Sequence, residues 1–431
     1  MSRSSAKVEK NNRKNNIIFA RLVYKTEFDM VKISQKASLM PASAIRKLVP
    51  LADAAKKSGV KVYHLNIGQP DEKINSPECA LDAVRNYKGT NISYSNSAGL
   101  TELREGLVNK YYKNIGIDIE VPELLVTVAG SESVLMSLEI TCNPGDEVIV
   151  LEPFYTNYNT FAFMNEITLK AIPTDIRNGF QVPAIEEFEK AITDKTKAIL
   201  ICNPGNPTGT LYTKESMMAL GEIAKKHDLF LISDEVYREF CYTDEPHFSA
   251  MNIPGLEQNV ILIDSVSKRY NMCGARVGCI ISHNKEVMAA AMKYAQARLC
   301  PPVLGQIASI GALDTPQEYF DDVKKEYIRR RNYMIDRLNR IPGVYTPLPM
   351  GAFYTVAELP VDDTEKFARW MLEEFRVNGE TTMVTPAASF FKTSGKGVNY
   401  ARIAYVLEIP ELEKALDCLE EGLKQYPGRT I

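Results

Sequence analysis

Lys268 closes the run Ile261-Leu262-Ile263-Asp264-Ser265-Val266-Ser267-Lys268, and Gly274, Arg276 and Gly278 follow it. The apolar stretch reads as a buried strand ending at Asp264. A lysine this close to a buried strand end is costly unless its charge is neutralised or consumed in a covalent bond. The chemistry open to it is imine formation with an aldehyde, with Ser265 and Arg276 placed to hold a phosphate. Taken alone, the same residue reads first as a solvated lysine on a surface turn, and it is the rest of the chain that reverses this.

Four more features fall where strands end. In Val126-Thr127-Val128-Ala129-Gly130-Ser131-Glu132 a strand runs into glycine and opens a helix on Ser131 and Glu132. The free N–H groups of such a helix start form an anion site, although Gly-Ser is also an ordinary cap. Asn203-Pro204-Gly205-Asn206-Pro207-Thr208-Gly209 is a doubled Asn-Pro turn that presents Asn206 as a donor. Asp234 ends the run Leu231-Ile232-Ser233. A carboxylate there needs a cationic partner, either a salt bridge or a protonated pyridine nitrogen, and Tyr237 follows within reach of a ring oxygen. Glu152-Pro153-Phe154-Tyr155 supplies an aromatic side chain able to stack on a flat ring or to join the core. Together these supply a covalent anchor, a partner for a ring nitrogen, ring-oxygen donors, a stacking face and two phosphate-binding pieces. That set matches pyridoxal 5'-phosphate.

With Ser265-Val266-Ser267-Lys268, Gly274-Ala275-Arg276-Val277-Gly278, Asn203 to Gly209 and Asp234-Glu235-Val236-Tyr237 in this order, the chain resembles the class I/II pyridoxal-phosphate aminotransferases of fold type I. The likeness runs from about residue 34 to 425, and within the family it is nearest to prokaryotic aspartate aminotransferases. The resemblance implies Lys268 as the Schiff-base lysine and Asp234 at the pyridine nitrogen. It puts Asn206 and Tyr237 at the ring oxygen and Tyr155 on the ring face. Ser131, Ser265 and Arg276 then hold the phosphate, with Gly130 and Glu132 beside Ser131 among the cofactor-binding residues. Tyr94, ahead of Gly99-Leu100-Thr101, matches a tyrosine that reaches the neighbouring subunit's phosphate, which implies a homodimer. Gly68, in Leu65-Asn66-Ile67-Gly68, matches a glycine lining the substrate pocket, and Arg402 matches the arginine that clamps the α-carboxylate.

The implied activity is ping-pong transfer of an amino group from an L-amino acid, aspartate first, to a 2-oxo acid such as 2-oxoglutarate. Aromatic, alanine and branched-chain donors stay open, as does a carbon-sulfur or β-lyase working with the same lysine. A dicarboxylate donor needs a second cation. Where some relatives carry a lysine this chain has Ser131, which leaves Arg298 and Arg46 as candidates.

These residues need elements to carry them. Val/Ile/Leu-rich runs without polar alternation suit strands covered on both faces, at Leu124–Val128, Glu147–Leu151, Thr168–Ile172, Ala198–Cys202, Phe230–Ser233, Val260–Asp264 and Val277–Ser282. Helix patterns lie between them at Ser131–Thr141, Ala184–Thr193 and Lys214–His227. The alternation predicts an α/β domain, a mostly parallel mixed sheet between helices. After Pro316 the pattern changes to a long charged helix at 317–341, in which Arg329-Arg330-Arg331 reads as a solvated face. Strands near 353–356 and 401–405 and helices near 364–375 and 410–425 complete a smaller α+β domain. A helix near Ala42–Ser58 is assigned to it. The expected limits are 78–316 for the large domain, and 34–77 with 317–431 for the small one. Residues 1–33 read as a disordered extension, with Met30 as an alternative start.

Composition narrows the field further. A net charge of -3 gives no general pull toward nucleic acid or anionic membranes. Eight cysteines without a CxxC pair, several in apolar runs, read as reduced core residues of a cytoplasmic protein. The four histidines are dispersed, so no metal site is expected. No apolar stretch approaches the ~20 residues of a membrane helix.

Overall fold

The computed structural model describes residues 31–71 and 73–431. The chain divides into two compact units, Met1–Pro41 and Ala42–Ile431. The described part of the first holds one short helix, Gln35–Leu39, capped by the Ser34 hydroxyl. The expected disordered tail and the alternative start at Met30 lie almost wholly outside the described residues.

Within the second unit the strands, in chain order, are β1 (Lys61–His64), β2 (Leu124–Thr127), β3 (Glu147–Glu152), β4 (Thr168–Pro173), β5 (Thr196–Cys202), β6 (Phe230–Asp234), β7 (Val260–Ser265), β8 (Gly278–Ile281), β9 (Tyr354–Glu358), β10 (Glu380–Met383), β11 (Thr385–Pro386) and β12 (Tyr400–Ala404). All seven strands expected between residues 124 and 282 are present. They form one sheet in the order β2-β8-β7-β6-β5-β3-β4. Every pairing is parallel except those of β8, which runs antiparallel to β2 and β7.

The sheet is buried on both faces, which is why its strands lack polar alternation. Along β5, Ile199 and Ile201 enter one core cluster while Ala198 and Leu200 enter the other, as the two-residue period of a strand requires. On the first face the helix Lys214–Lys226 inserts Met217, Leu220, Ile223 and Ala224, the helical spacing of an apolar stripe. The helices Ala129–Thr141 and Lys285–Arg298 cover the other face with Val134, Leu138, Val287, Ala291 and Ala295. Each such fully buried large aliphatic side chain contributes about 1.5–3 kcal/mol.

The remaining strands form two small sheets. One is antiparallel, in the order β11-β12-β9, and the other pairs β1 with β10 in parallel. They share a core cluster with the helices Val49–Lys57, Gln317–Arg340, Thr364–Glu373 and Ile409–Gln425.

Two expectations need correction. The helix placed at 42–58 begins only at Val49, where Pro50 occupies its first turn. A helix running through from Ala42 would put Pro50 in its interior, where it has no N–H to donate and its ring would crowd the Arg46 carbonyl. The arginine run is not a solvated face. Arg329 is exposed, but Arg330 and Arg331 are buried. Arg330 pairs with Asp71 and Glu326 and donates to the Val406 carbonyl. Arg331 donates to the Pro349 carbonyl and lies over the Tyr242 ring.

Candidate active site

Register gathers the chemistry at one sheet end. Cys202 of β5 lies beside Asp234 of β6, and Asp234 beside Ile263 of β7. Ser265 and Thr127 both sit opposite Gly278, because β8 starts where β7 and β2 finish. The carboxyl ends of parallel strands are where open α/β sheets bind ligands.

Gly278 lets the backbones of Ala129 and Asp264 close on the start of β8. A Cβ there would stand 2.6 Å from the Ala129 carbonyl carbon and 2.8 Å from the Asp264 oxygen. Ala129 takes a left-handed conformation, φ 62°, an outlay of about 1–3 kcal/mol of the sort that collects at functional turns. It starts the helix whose first N–H groups, around Gly130, Ser131 and Glu132, have no intrahelical partner. Glu132 folds back so that its Oε2 accepts from Val128 N at 2.5 Å and its Oε1 pairs with Arg298 Nε at 3.3 Å. Arg298 also donates to the carbonyls of Ser97 and Val126. This guanidinium is therefore committed to the helix start, to β2 and to the segment around Ser97. Ser265 caps the short helix Val266–Arg269, and its hydroxyl is bonded to Ser267 and to the Val277 carbonyl. Arg276 is left-handed, φ 54°, exposed, and donates to the Cys273 carbonyl at 2.8 Å.

Lys268 Nζ donates to the Gly68 carbonyl at 2.5 Å and to Cys273 Sγ at 3.6 Å, with the rings of Tyr237 and Phe353 about it. Burial lowers its pKa from the ordinary lysine value. The charges of Arg402 and Arg276 act the same way, and Cys273 partly opposes them. A buried, neutral amine is a nucleophile and a base.

Two aspartates end neighbouring strands and differ in kind. Burial works against the charge of Asp264, but Arg269, Arg238 and the Tyr112 hydroxyl hold its carboxyl below the usual range. Asp234 has no cation within ion-pair distance among the described residues. It accepts from the Tyr158 hydroxyl at 2.8 Å and from Val236 N at 3.4 Å. Burial pushes it up to about 6. Asp264 braces the fold, whereas Asp234 is a buried acid lacking a counter-ion.

Arg402, on β12, is the mirror case. It is 1% exposed, donates to Asn206 Oδ1 at 3.1 Å and to the Asn66 carbonyl at 2.8 Å, and leaves Nε without a partner. The rings of Tyr354 and Phe390 flank it. Among the described residues no carboxylate pairs with it. Asn206 in turn donates to the Tyr237 hydroxyl at 3.3 Å, and Tyr237 meets the Tyr354 hydroxyl at 3.0 Å. Tyr155 feels both Arg402 and Asp234, although burial is what chiefly raises its pKa; Arg46, an exposed residue, acts on it as well.

One bonded chain thus joins Arg402, Asn206 and Tyr237, with Lys268 against the Tyr237 ring, Gly68 on the amine, and Asp234 and Tyr155 within the same electrostatic neighbourhood. Tyr94 stands apart at 79% exposure. Sequence pattern does not single out Tyr158, Tyr354, Phe390 or Cys273, because tyrosines and phenylalanines in apolar runs look like core. The only signal was the Tyr155-x-x-Tyr158 spacing. Asn66 acts through its backbone carbonyl, which side-chain identity cannot reveal.

An uncompensated buried acid, an uncompensated buried guanidinium and a buried lysine of lowered pKa fit pyridoxal 5'-phosphate with an amino acid. The pyridinium would answer Asp234, the α-carboxylate Arg402 and the aldehyde Lys268. Among the described residues no group of His, Cys, Asp and Glu could hold a metal, and no helix is long and apolar enough to cross a membrane.

A family model for class I and II aminotransferases matches residues 60–417. An aspartate aminotransferase of Thermotoga maritima is 32% identical over 392 residues, which cover 91% of this chain and 99% of that relative. Aromatic-amino-acid aminotransferase 2 of Thermococcus litoralis is 30% identical, over 91% of this chain and 98% of its own. The solved structure of an alanine aminotransferase from Pyrococcus furiosus matches with a TM-score of 0.83 at 31% identity, covering 91% of this chain and 100% of that one. The chain belongs to the class I and II aminotransferases, enzymes that depend on pyridoxal 5'-phosphate.

Proposed function

We propose that this aminotransferase takes the amino group of an L-amino acid, aspartate first, and passes it to a 2-oxo acid such as 2-oxoglutarate. The observation that carries the reading is Arg402, a guanidinium buried to 1% exposure with no carboxylate beside it. A guanidinium stays charged at any ordinary pH, and leaving it buried without an anion is expensive. A planar fork suits a planar carboxylate, so the α-carboxylate of an amino acid is its natural guest.

Pyridoxal phosphate, when bound, supplies an aldehyde that captures amines and a ring that draws electrons from the captured carbon. The chain's own groups do the rest. Lys268 Nζ would hold the aldehyde until an incoming amine displaces it, and the freed amine would then carry the proton that leaves the substrate Cα to the former aldehyde carbon. Burial lowers its pKa, which favours the neutral form that task needs. Asp234 would hold the pyridine nitrogen in its protonated form. Tyr237 and Asn206 would hold the ring oxygen, and Tyr155 the ring face. The helix start at Gly130, Ser131 and Glu132, with Ser265 and Arg276, would receive the phosphate. Exclusion of water from this buried network strengthens each of these charges.

Aspartate as donor is supported by the relative from Thermotoga maritima and by Arg46, a cation close enough to act on Tyr155. The commitment of Arg298 to Glu132 weighs against Arg298 as the reader of a second carboxylate. We extend the reading to a homodimer, supported by the exposed Tyr94 and Ile92, at 79% and 61%. A two-domain division, with residues 78–316 as the large domain, is supported by the strand pairing of β1 with β10. A cytoplasmic location is supported by eight free cysteines.

The test is a panel of amino donors, including aspartate, alanine and aromatic amino acids, against 2-oxoglutarate, scored by glutamate formed. Aspartate giving the highest kcat/KM supports the proposal. Ammonia and pyruvate appearing without glutamate would overturn it in favour of a lyase.

A further inference from the structure

Lys268 has a neighbour that the reaction described above does not use. The turn after it doubles back: Met272 N and the Cys273 thiol both donate to the Ser267 carbonyl, the thiol at 3.2 Å. Asn271, left-handed at φ 49°, anchors the turn through its side chain to the carbonyls of Asp71 and Ile74. Cys273 Sγ is thereby brought to 3.6 Å from Lys268 Nζ. With its hydrogen committed to Ser267, the sulfur can meet the amine only as an acceptor.

The Gly68 carbonyl is a second acceptor, at 2.5 Å from the same nitrogen. Gly68 itself is hemmed in, since a Cβ there would lie 3.0 Å from the Tyr354 hydroxyl. A neutral amine has two N–H bonds and one lone pair. Two acceptors take both hydrogens and leave the lone pair a single direction. An ammonium would need a third acceptor, which neither the thiol nor the carbonyl supplies. The pair of acceptors therefore matches the neutral state that burial favours.

We propose that Cys273 is a positioning residue, whose sulfur, together with the Gly68 carbonyl, holds the freed Lys268 amine in one rotamer with its lone pair aimed for transfer of the α-proton. A lysine side chain otherwise explores many rotamers, and misaimed proton transfer is slow. The inference rests on the reading of Lys268 as the amine that moves this proton.

The test compares wild type with Cys273→Ala and Cys273→Ser. The serine keeps an acceptor that can donate to Ser267, with a shorter bond from Cβ. In single-turnover reactions of the cofactor-loaded enzyme, Cys273→Ala should slow the loss of the α-proton about tenfold and enlarge the isotope effect of α-deuterated substrate. It should leave KM and the cofactor dissociation constant within about twofold, as a change in aim rather than in binding predicts. Cys273→Ser should recover part of the rate. A second readout does not depend on turnover. The cofactor-free protein should capture pyridoxal phosphate more slowly in Cys273→Ala than in wild type, followed by the growth of visible absorbance, and reach the same final spectrum.

An unchanged isotope effect and unchanged capture rate in Cys273→Ala would overturn the proposal. So would a Cys273→Ser variant as impaired as Cys273→Ala. Lys268→Ala separates the two layers. If it retains turnover, the reading of Lys268 itself falls. If it is inactive while Cys273→Ala behaves as wild type, only the role of the thiol is lost.

Discussion

Asp234→Asn tests whether the buried acid of this site is stored instability. Its carboxyl titrates at about 6 in the folded chain, against 3.8 for the free side chain. The difference of about two units is worth about 3 kcal/mol at ~1.4 kcal/mol per unit. The sign follows from which state holds the proton. Near pH 4 the folded protein keeps its proton and the unfolded chain keeps about half of its own, so the penalty is under about 1 kcal/mol. Above pH 6 both states have lost it, and the folded state bears the buried charge at the full cost of about 3 kcal/mol. Asparagine retains the shape and an acceptor for Tyr158 but carries no charge. Urea unfolding of the cofactor-free variant, followed by circular dichroism, should therefore show a gain of about 2–3 kcal/mol over wild type at pH 8. The gain should shrink to under about 1 kcal/mol at pH 4. Turnover of the loaded variant should fall by about a hundredfold to a thousandfold, the scale of losing one preorganised electrostatic partner. A variant no more stable than wild type at pH 8, or a gain that does not shrink at pH 4, would refute the reasoning.

Three further outcomes are expected. Arg402→Lys replaces a fork by a point charge; steady-state kinetics should show kcat/KM for amino acids down about a hundredfold, or about 3 kcal/mol, while absorbance titration shows cofactor affinity within about twofold of wild type. Gly278→Ala drives a methyl to within 2.6 Å of the Ala129 backbone; unfolding should show a loss of about 1–3 kcal/mol, and the cofactor dissociation constant should rise. Arg269→Met strips Asp264 of its closest cation; stability should drop by about 3–5 kcal/mol, and adding Asp264→Asn should restore much of it, as measured in a double-mutant cycle.

The sheet was legible because its strands are unusually plain. Val148, Ile149, Val150 and their counterparts are buried on both faces, so continuous apolar runs sufficed to place all seven. Lys268, Asp234 and Asn206 stood out as candidates because each follows a buried apolar run, and the structure adds that Asn206 bonds both Arg402 and Tyr237. What lay hidden depends on partners distant in sequence. Arg330 reads as solvated until Asp71 and the Val406 carbonyl are known to meet it. Asp264 and Asp234 look alike as strand-ending acids. Only the positions of Arg269 and Arg238 separate a neutralised carboxylate from an unanswered one. The helix expected from Ala42 starts at Val49, because proline geometry outweighs the helical preference of the alanines before it.

The three residues from Asn66 to Gly68 link two basic side chains of the site. Arg402 Nη2 rests on the Asn66 carbonyl, and Lys268 Nζ rests on the Gly68 carbonyl. A carboxylate bound at the guanidinium, whose Nε has no partner, would share Arg402 with the carbonyl at one end of this strap. The other end accepts from the Lys268 amine. Two peptide units thus join the carbonyls on which the guanidinium and the amine rest, so a shift at one contact would reach the other through two hydrogen bonds and a very short strap.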